Sequence, residues 1–124
     1  MIRNTRQRTV IRKVIEEANR PLGAPEILAE ARTSFAGLGI ATVYRTVKAL
    51  TEEGWLVPVE LPGEPPRYEL SGKAHHHHFQ CKDCGKVYEL DGCVDNLRNL
   101  LPRGFAISGH EVLLYGQCVT CLSA

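Results

Sequence analysis

One stretch of ten residues, His75-His76-His77-His78-Phe79-Gln80-Cys81-Lys82-Asp83-Cys84, holds four imidazoles and two thiols. A hydrophobic core has no use for that density of ligating groups. Neutral imidazole and thiolate are favoured ligands of zinc and its neighbours in the transition series. A second pair of thiols follows near the end of the sequence, Cys118-Val119-Thr120-Cys121. Two residues between thiolates let both sulfurs reach one ion from a tight knuckle, and two knuckles complete a tetrahedral four-thiolate site. Cys81, Cys84, Cys118 and Cys121 are therefore the expected ligands of a structural zinc ion. The pairs are separated by 33 residues, Gly85 to Gln117, so a small subdomain must lie between them. A disulfide framework is disfavoured, because five cysteines is an odd number and no signal peptide is evident. A thioredoxin-like redox pair would need one Cys-x-x-Cys on a βαβ unit, and two pairs do not fit that.

The histidine run is internal and leads straight into Phe79 and Cys81, unlike a purification tag. If it is extended, strand alternation puts His76 and His78 on one face and His75 and His77 on the other. One short strand could then serve two separate metal sites. The plainer alternative is a solvated polar strand with no metal. A zinc hydrolase would need an open coordination position and a general base, as in His-Glu-x-x-His, and no such spacing occurs. The expectation is that the protein is not an enzyme and has no catalytic residues.

These groups must be positioned by a chain of 124 residues, enough for one domain or two small ones. It is 44% hydrophobic and 23% charged, ordinary for a globular protein. No apolar run approaches membrane-spanning length, so no membrane association and a cytoplasmic location are expected. The formal net charge is only +1 but is unevenly placed. Residues 1–57 carry nine Lys/Arg against six acids, and residues 58–124 carry six against eight. Arg3, Arg6, Arg8, Arg12 and Lys13 open the sequence with no acid among them, which points to a polyanionic partner or to a solvated helix end.

Helical spacing of Val10, Ile11, Val14, Ile15 and Ala18 predicts a helix over 5–18. A second should start at Pro25 and turn Ile27, Leu28 and Ala31 inward. A third, about 40–53, has Ile40, Val43, Tyr44, Val47 and Leu50 at its apolar positions and ends at Gly54. Its other face carries Thr42, Arg45, Thr46 and Lys48, which can donate to phosphate oxygens and base edges. Strands are expected at 55–60 and 67–70, with a breaker-rich tip at 61–66. Helix, helix, turn, helix and two strands is the order of a winged helix-turn-helix. After a hinge at Ser71-Gly72-Lys73, strands are expected at 75–81, 86–90 and 105–115, with a short helix over 94–101. The fold class is thus α+β: a winged helix-turn-helix DNA-binding domain over 1–71, then a small α/β metal-binding dimerisation domain over 72–124. A sheet this small has a free edge that invites a second copy, and a helix-turn-helix dimer reads a two-fold operator in double-stranded DNA.

Thr5-Arg6-Gln7-Arg8, Ala41-Thr42-Val43-Tyr44-Arg45-Thr46, Tyr68-Glu69-Leu70, His75 to Cys81, Cys84-Gly85-Lys86-Val87, Gly109-His110 and Cys118 with Cys121 together resemble the ferric uptake regulator family over almost the whole chain. The resemblance implies metal-dependent repression by a homodimer. It places the structural zinc at Cys81, Cys84, Cys118 and Cys121. It places a sensing site at the hinge, on Glu69, His76 and His78, and a further site on His75, His77 and His110 with an acidic ligand near Asp95. Tyr44 and Arg45 match recognition-helix residues, and Arg3 resembles the basic residue that reaches the minor groove. With Arg6, Thr42 and Thr46 they form the expected DNA-binding set.

Iron and peroxide sensors of the family use a histidine near the start of the second helix, where this chain has Pro21-Leu22 and no histidine before residue 75. Zinc sensors often take a hinge cysteine, whose place here is held by Ser71, with Glu60 as a substitute ligand. The expected regulatory metal is zinc, with an iron(II)- or manganese(II)-dependent or peroxide-sensing repressor as the alternative. A zinc adaptor that binds protein rather than DNA is more distant. Cys93 is assigned no ligand role and is expected as a small buried residue at a helix start.

Overall fold

The computed structural model describes residues 2–123, with side chains from residue 6 onward. Arg3 therefore lies outside the described side chains. The chain divides into two compact units, Met1–Gly72 and Lys73–Ala124.

The first unit contains α1 (Ile2–Ala18), α2 (Ala24–Ala31), α3 (Ile40–Glu52), β1 (Leu56–Leu61) and β2 (Glu64–Leu70). The apolar positions seen at helical spacing converge on one core: Ile11 and Ile15 of α1, Ile27 and Ala31 of α2, Val43, Val47 and Leu50 of α3, with Leu38 and Leu56 closing it. On α3 only part of the expected stripe turns inward. Ile40 is 39% and Tyr44 51% exposed, which removes both from the core and puts Tyr44 on the polar face. Leu50→Ala would leave a cavity at a site with no solvent access and should cost about 2–5 kcal/mol, measured by denaturant unfolding.

β1 and β2 form an antiparallel hairpin that turns at Pro62-Gly63, where Gly63 has φ +73, a conformation that suits glycine. The hairpin is longer than the prolines suggested. Pro65 and Pro66 lie within β2, not in a loose tip, and a two-stranded sheet is all edge, where a missing N–H donor is tolerated. The ladder shifts register between Val59 and Leu61. Leu22 adds a bridge to Tyr68, with N–H···O distances of 2.9 Å in both directions. Glu26 ties the wing to α2. It accepts from the Gly23 N–H at 3.0 Å, from Arg67 at 3.0 Å and from Arg20 at 2.9 Å.

The second unit is a three-stranded sheet of order β4-β3-β5, from β3 (His77–Cys81), β4 (Val87–Leu90) and β5 (Leu113–Gly116). β3 runs antiparallel to β4 and parallel to β5. α4 (Val119–Leu122) follows. Two sequence expectations fail between β4 and β5. The helix over 94–101 is only a 3-10 turn at Leu97–Leu100, because Asn96 takes the left-handed conformation, φ +70, and interrupts any helix from 94. The strand over 105–115 shrinks to its last residues: Phe105 N–H closes a turn on Pro102 instead of entering the ladder. No described helix is long and apolar enough to cross a membrane.

Candidate functional site

The two Cys-x-x-Cys pairs meet. Cys81 ends β3, Cys84 lies in the tight turn that Gly85 follows with φ +77, Cys118 caps the single turn of α4, and Cys121 lies within that turn. Gln117 donates to Asp83 at 2.6 Å and Lys82 N–H to Gly116 at 2.7 Å, so the knuckles are tied to one another. Cys81 Sγ lies 3.6 Å from Cys121 Sγ, and Cys84 Sγ 3.9 Å from Cys118 Sγ. Zinc–sulfur bonds of about 2.3 Å put the corners of a tetrahedron roughly 3.8 Å apart, so the four thiols fit a zinc ion. The N–H groups of Cys84 and Cys118 point at Cys81 Sγ, at 3.5 and 3.4 Å, and hold its thiol down at about 6. The N–H of Cys121 likewise lowers Cys118. The adjacent Cys81 and Cys118 sulfurs push Cys121 up to about 12. One thiolate thus opposes the next, a conflict that a dication removes by deprotonating the whole set.

The histidines alternate as the strand reading requires. His76 and His78 share one side, ring centroids 4.8 Å apart, with His76 Nδ1 2.8 Å from the Ala74 carbonyl. His75 and His77 share the other and meet His110, which is carried in by the segment before β5. His75 Nε2 is 3.1 Å from His77 Nε2 and 3.2 Å from His110 Nε2. The fourth group is not Asp95. It is Cys93, whose Sγ lies 2.9 Å from His110 Nε2 and 3.3 Å from His77 Nε2. Cys93 is exposed and sits in a loop, not buried at a helix start, because no helix forms there. The one available clue was the odd fifth cysteine, placed after Gly92 in a unit whose histidines needed another donor. Burial lowers the pKa of His77, and His75 and His110 beside it add to the effect, which favours the neutral ring, the form that ligates.

In the first unit, α3 presents Tyr44 and Arg45 outward, with Thr42 and Thr46 half-buried beside them. Arg45 donates to Thr42 Oγ1 at 3.1 Å, which aims the guanidinium along the helix face. Arg6 lies 5.3 Å over the Phe35 ring and Arg12 4.5 Å over Trp55. Arg8 pairs with Glu53, which takes it out of the free basic arm. Glu69 lies on β2 opposite Val57. Glu60 lies on β1, and Ser71 donates to the Gly54 carbonyl.

A helix-turn-helix with a wing, joined to a unit rich in metal-competent thiols and imidazoles, defines a metal-dependent DNA-binding regulator as the class of protein. Residues 1–115 match the Ferric uptake regulator family, and the chain belongs to that family of metal-dependent transcription regulators. It is 32% identical over 125 residues to a ferric uptake regulation protein of Campylobacter jejuni subsp. jejuni, covering 97% of this chain and 80% of the relative. Among solved structures it is similar to a zinc-bound manganese uptake regulator, with 28% identity, TM-score 0.77 and coverage of 91% and 88% of the two chains. It is also similar to FurB of Mycobacterium tuberculosis, a zinc uptake regulator, with 26% identity, TM-score 0.55 and coverage of 97% and 95%.

Proposed function

We propose that this protein is a zinc-responsive repressor that binds a two-fold operator as a homodimer. Metal at the junction of its two units sets the DNA-binding conformation. The observation that carries the reading is the division of the histidine run. Cys81 with its three partners, and His75 with His77, serve other clusters. That leaves His76 and His78 as a pair directly after the boundary at Gly72. Glu69, the last but one residue of β2, lies just before that boundary and supplies the third donor in this reading, with Glu60 or water as a fourth. Three or four mixed nitrogen and oxygen ligands suit tetrahedral zinc. Iron(II) and manganese(II) more often take five or six, and the second-helix histidine they would use is absent. The relative's name, a ferric uptake regulation protein, favours iron(II) as the second reading, and the name of the manganese uptake regulator adds manganese(II).

Dimerisation is supported by apolar side chains left exposed in the second unit, among them Leu100, Phe105, Val119 and Leu122, and by a short sheet with uncovered edges. The DNA reading is supported by the outward face of α3. Arg45→Ala should weaken operator binding by roughly 1–3 kcal/mol, measured by fluorescence anisotropy, if its guanidinium meets base edges. Arg3→Ala and Arg6→Ala should weaken binding to all sequences and flatten its salt dependence. Specific affinity unchanged in Arg45→Ala would remove α3 from the interface.

A further inference from the structure

We propose that the further site implied on His75, His77 and His110 takes Cys93 in place of the acidic ligand, which makes it a second closed zinc site entirely within the C-terminal unit. This zinc staples the segment between β4 and β5 to the sheet. The inference does not rest on the DNA reading, since all four residues and their contacts belong to one unit.

The donor geometry comes first. The three imidazoles turn Nε2 toward a common point, and the Cys93 sulfur closes the set, with neighbouring donors 2.9–3.3 Å apart. Zinc–nitrogen bonds of about 2.0–2.1 Å place nitrogens roughly 3.3–3.4 Å apart on a tetrahedron, and sulfur slightly further. A small expansion of the cluster therefore accepts the ion. Three neutral imidazoles and one thiolate fill the coordination of zinc and leave no open position, the mark of a structural or regulatory site rather than a catalytic one. The thiolate also sets the preference. Sulfur favours zinc over manganese(II), which seeks carboxylate and water, and Asp95 does not join the set.

The second consideration is what the site would hold. From residue 91 to residue 109 no described side chain is buried, and the regular structure is one 3-10 turn. Hydrophobic packing within the chain does not fix this segment. Cys93 near its start and His110 just after its end are brought against His75 and His77 at the start of the sheet. An ion there pins both ends. An open groove lined by residues 93–99 and 107–110 gives the ion a way in. Ligation through His77 Nε2 requires the ring proton on Nδ1, which now accepts the Val112 N–H at 3.2 Å. Loading the site therefore exchanges that hydrogen bond for the metal bond.

The test uses full-length protein carrying His78→Ala, which removes the proposed sensing site and leaves the four-thiolate and His75–Cys93 sites to be counted. Cobalt(II) is titrated anaerobically into stripped protein, followed by zinc competition. Thiolate-to-cobalt charge transfer should rise with the first equivalent and again, more weakly, with the second. Adding Cys93→Ser should abolish the second rise and weaken the second zinc by more than the roughly 10-fold that loss of even an outer-shell partner costs. Asp95→Asn should leave both. The first equivalent, bound by the four cysteines, reports in every variant that the unit is folded. In parallel, hydrogen exchange over residues 91–109 should slow with the second zinc and stay fast in Cys93→Ser. A second charge-transfer rise that survives Cys93→Ser, its loss in Asp95→Asn, or the absence of any second equivalent in the parent would each overturn the proposal. None of these outcomes depends on whether the protein binds an operator.

Discussion

Cys81→Ser should lose one tightly held zinc per chain, unfold the C-terminal unit and abolish the proposed dimer. The size of the effect follows from how little else holds that unit. Among its described residues only Cys81 and Val87 are buried apolar groups, with His77 and Gln80 as buried polar ones. A core of that size supplies far less than a domain needs, and small units of this kind rely on a metal. Structural zinc contributes apparent binding free energies of about 10–16 kcal/mol near neutral pH, all of it folding free energy when the site exists only in the folded chain. Cys81 is also the sulfur on which both knuckle N–H groups converge, so its loss removes the anchor of the set. Zinc content, far-UV melting and sedimentation would read the result. A strong chelator on the unsubstituted protein should reproduce it. A stable dimer with unchanged melting in Cys81→Ser would contradict the assignment. The N-terminal unit should keep its own transition in either case, because its core of Ile11, Ile27, Val43 and Leu50 is independent of the metal.

The second large effect is expected from His78→Ala. In the proposed reading one ion shared by Glu69, His76 and His78 couples the two units. To move the operator from mostly free to mostly bound, metal must favour the DNA-binding conformation by roughly 10²-fold or more. Removing one of three protein ligands should erase most of that coupling and leave the four-cysteine zinc in place. Operator affinity of His78→Ala should then stay near that of protein that lacks the sensing metal but keeps its four-cysteine zinc, with or without added zinc, as anisotropy would show. A His78→Ala protein that still responds fully to metal would move the sensor elsewhere.

Much of this was legible before the structure, for identifiable reasons. The three helices of the first unit carry strong 3.6-residue periodicity. α3, expected over 40–53, spans Ile40–Glu52, because Gly39 and Gly54 bound it on both sides. The four-thiolate cluster was readable because each knuckle is local in sequence. So was the two-sided histidine strand, which needs only the alternation of β3. What failed depended on context. Pro65 and Pro66 suggested a broken tip, but both lie on an edge strand, where a missing N–H donor is tolerated. The apolar spacing of Val94, Leu97, Leu100 and Leu101 suggested a helix. That stretch has no core to face, and Val94 and Leu100 stay exposed. With the helix gone, Cys93 stands beside the three histidines where Asp95 was expected. That substitution depends on the loop's path and on no spacing visible in the sequence.

The most direct test of the central claim is a titration of buffered zinc, iron(II) and manganese(II) against operator binding by stripped protein whose four-cysteine zinc is intact. The account predicts that zinc restores specific binding at lower free concentration than either of the others, that His78→Ala removes most of the response, and that Arg45→Ala weakens specific binding with the metal response retained. If iron(II) or manganese(II) restores binding at buffered levels where zinc does not, or if brief peroxide with iron(II) releases the DNA by oxidising His76 or His78, the zinc-responsive reading is contradicted and the iron, manganese or peroxide reading takes its place.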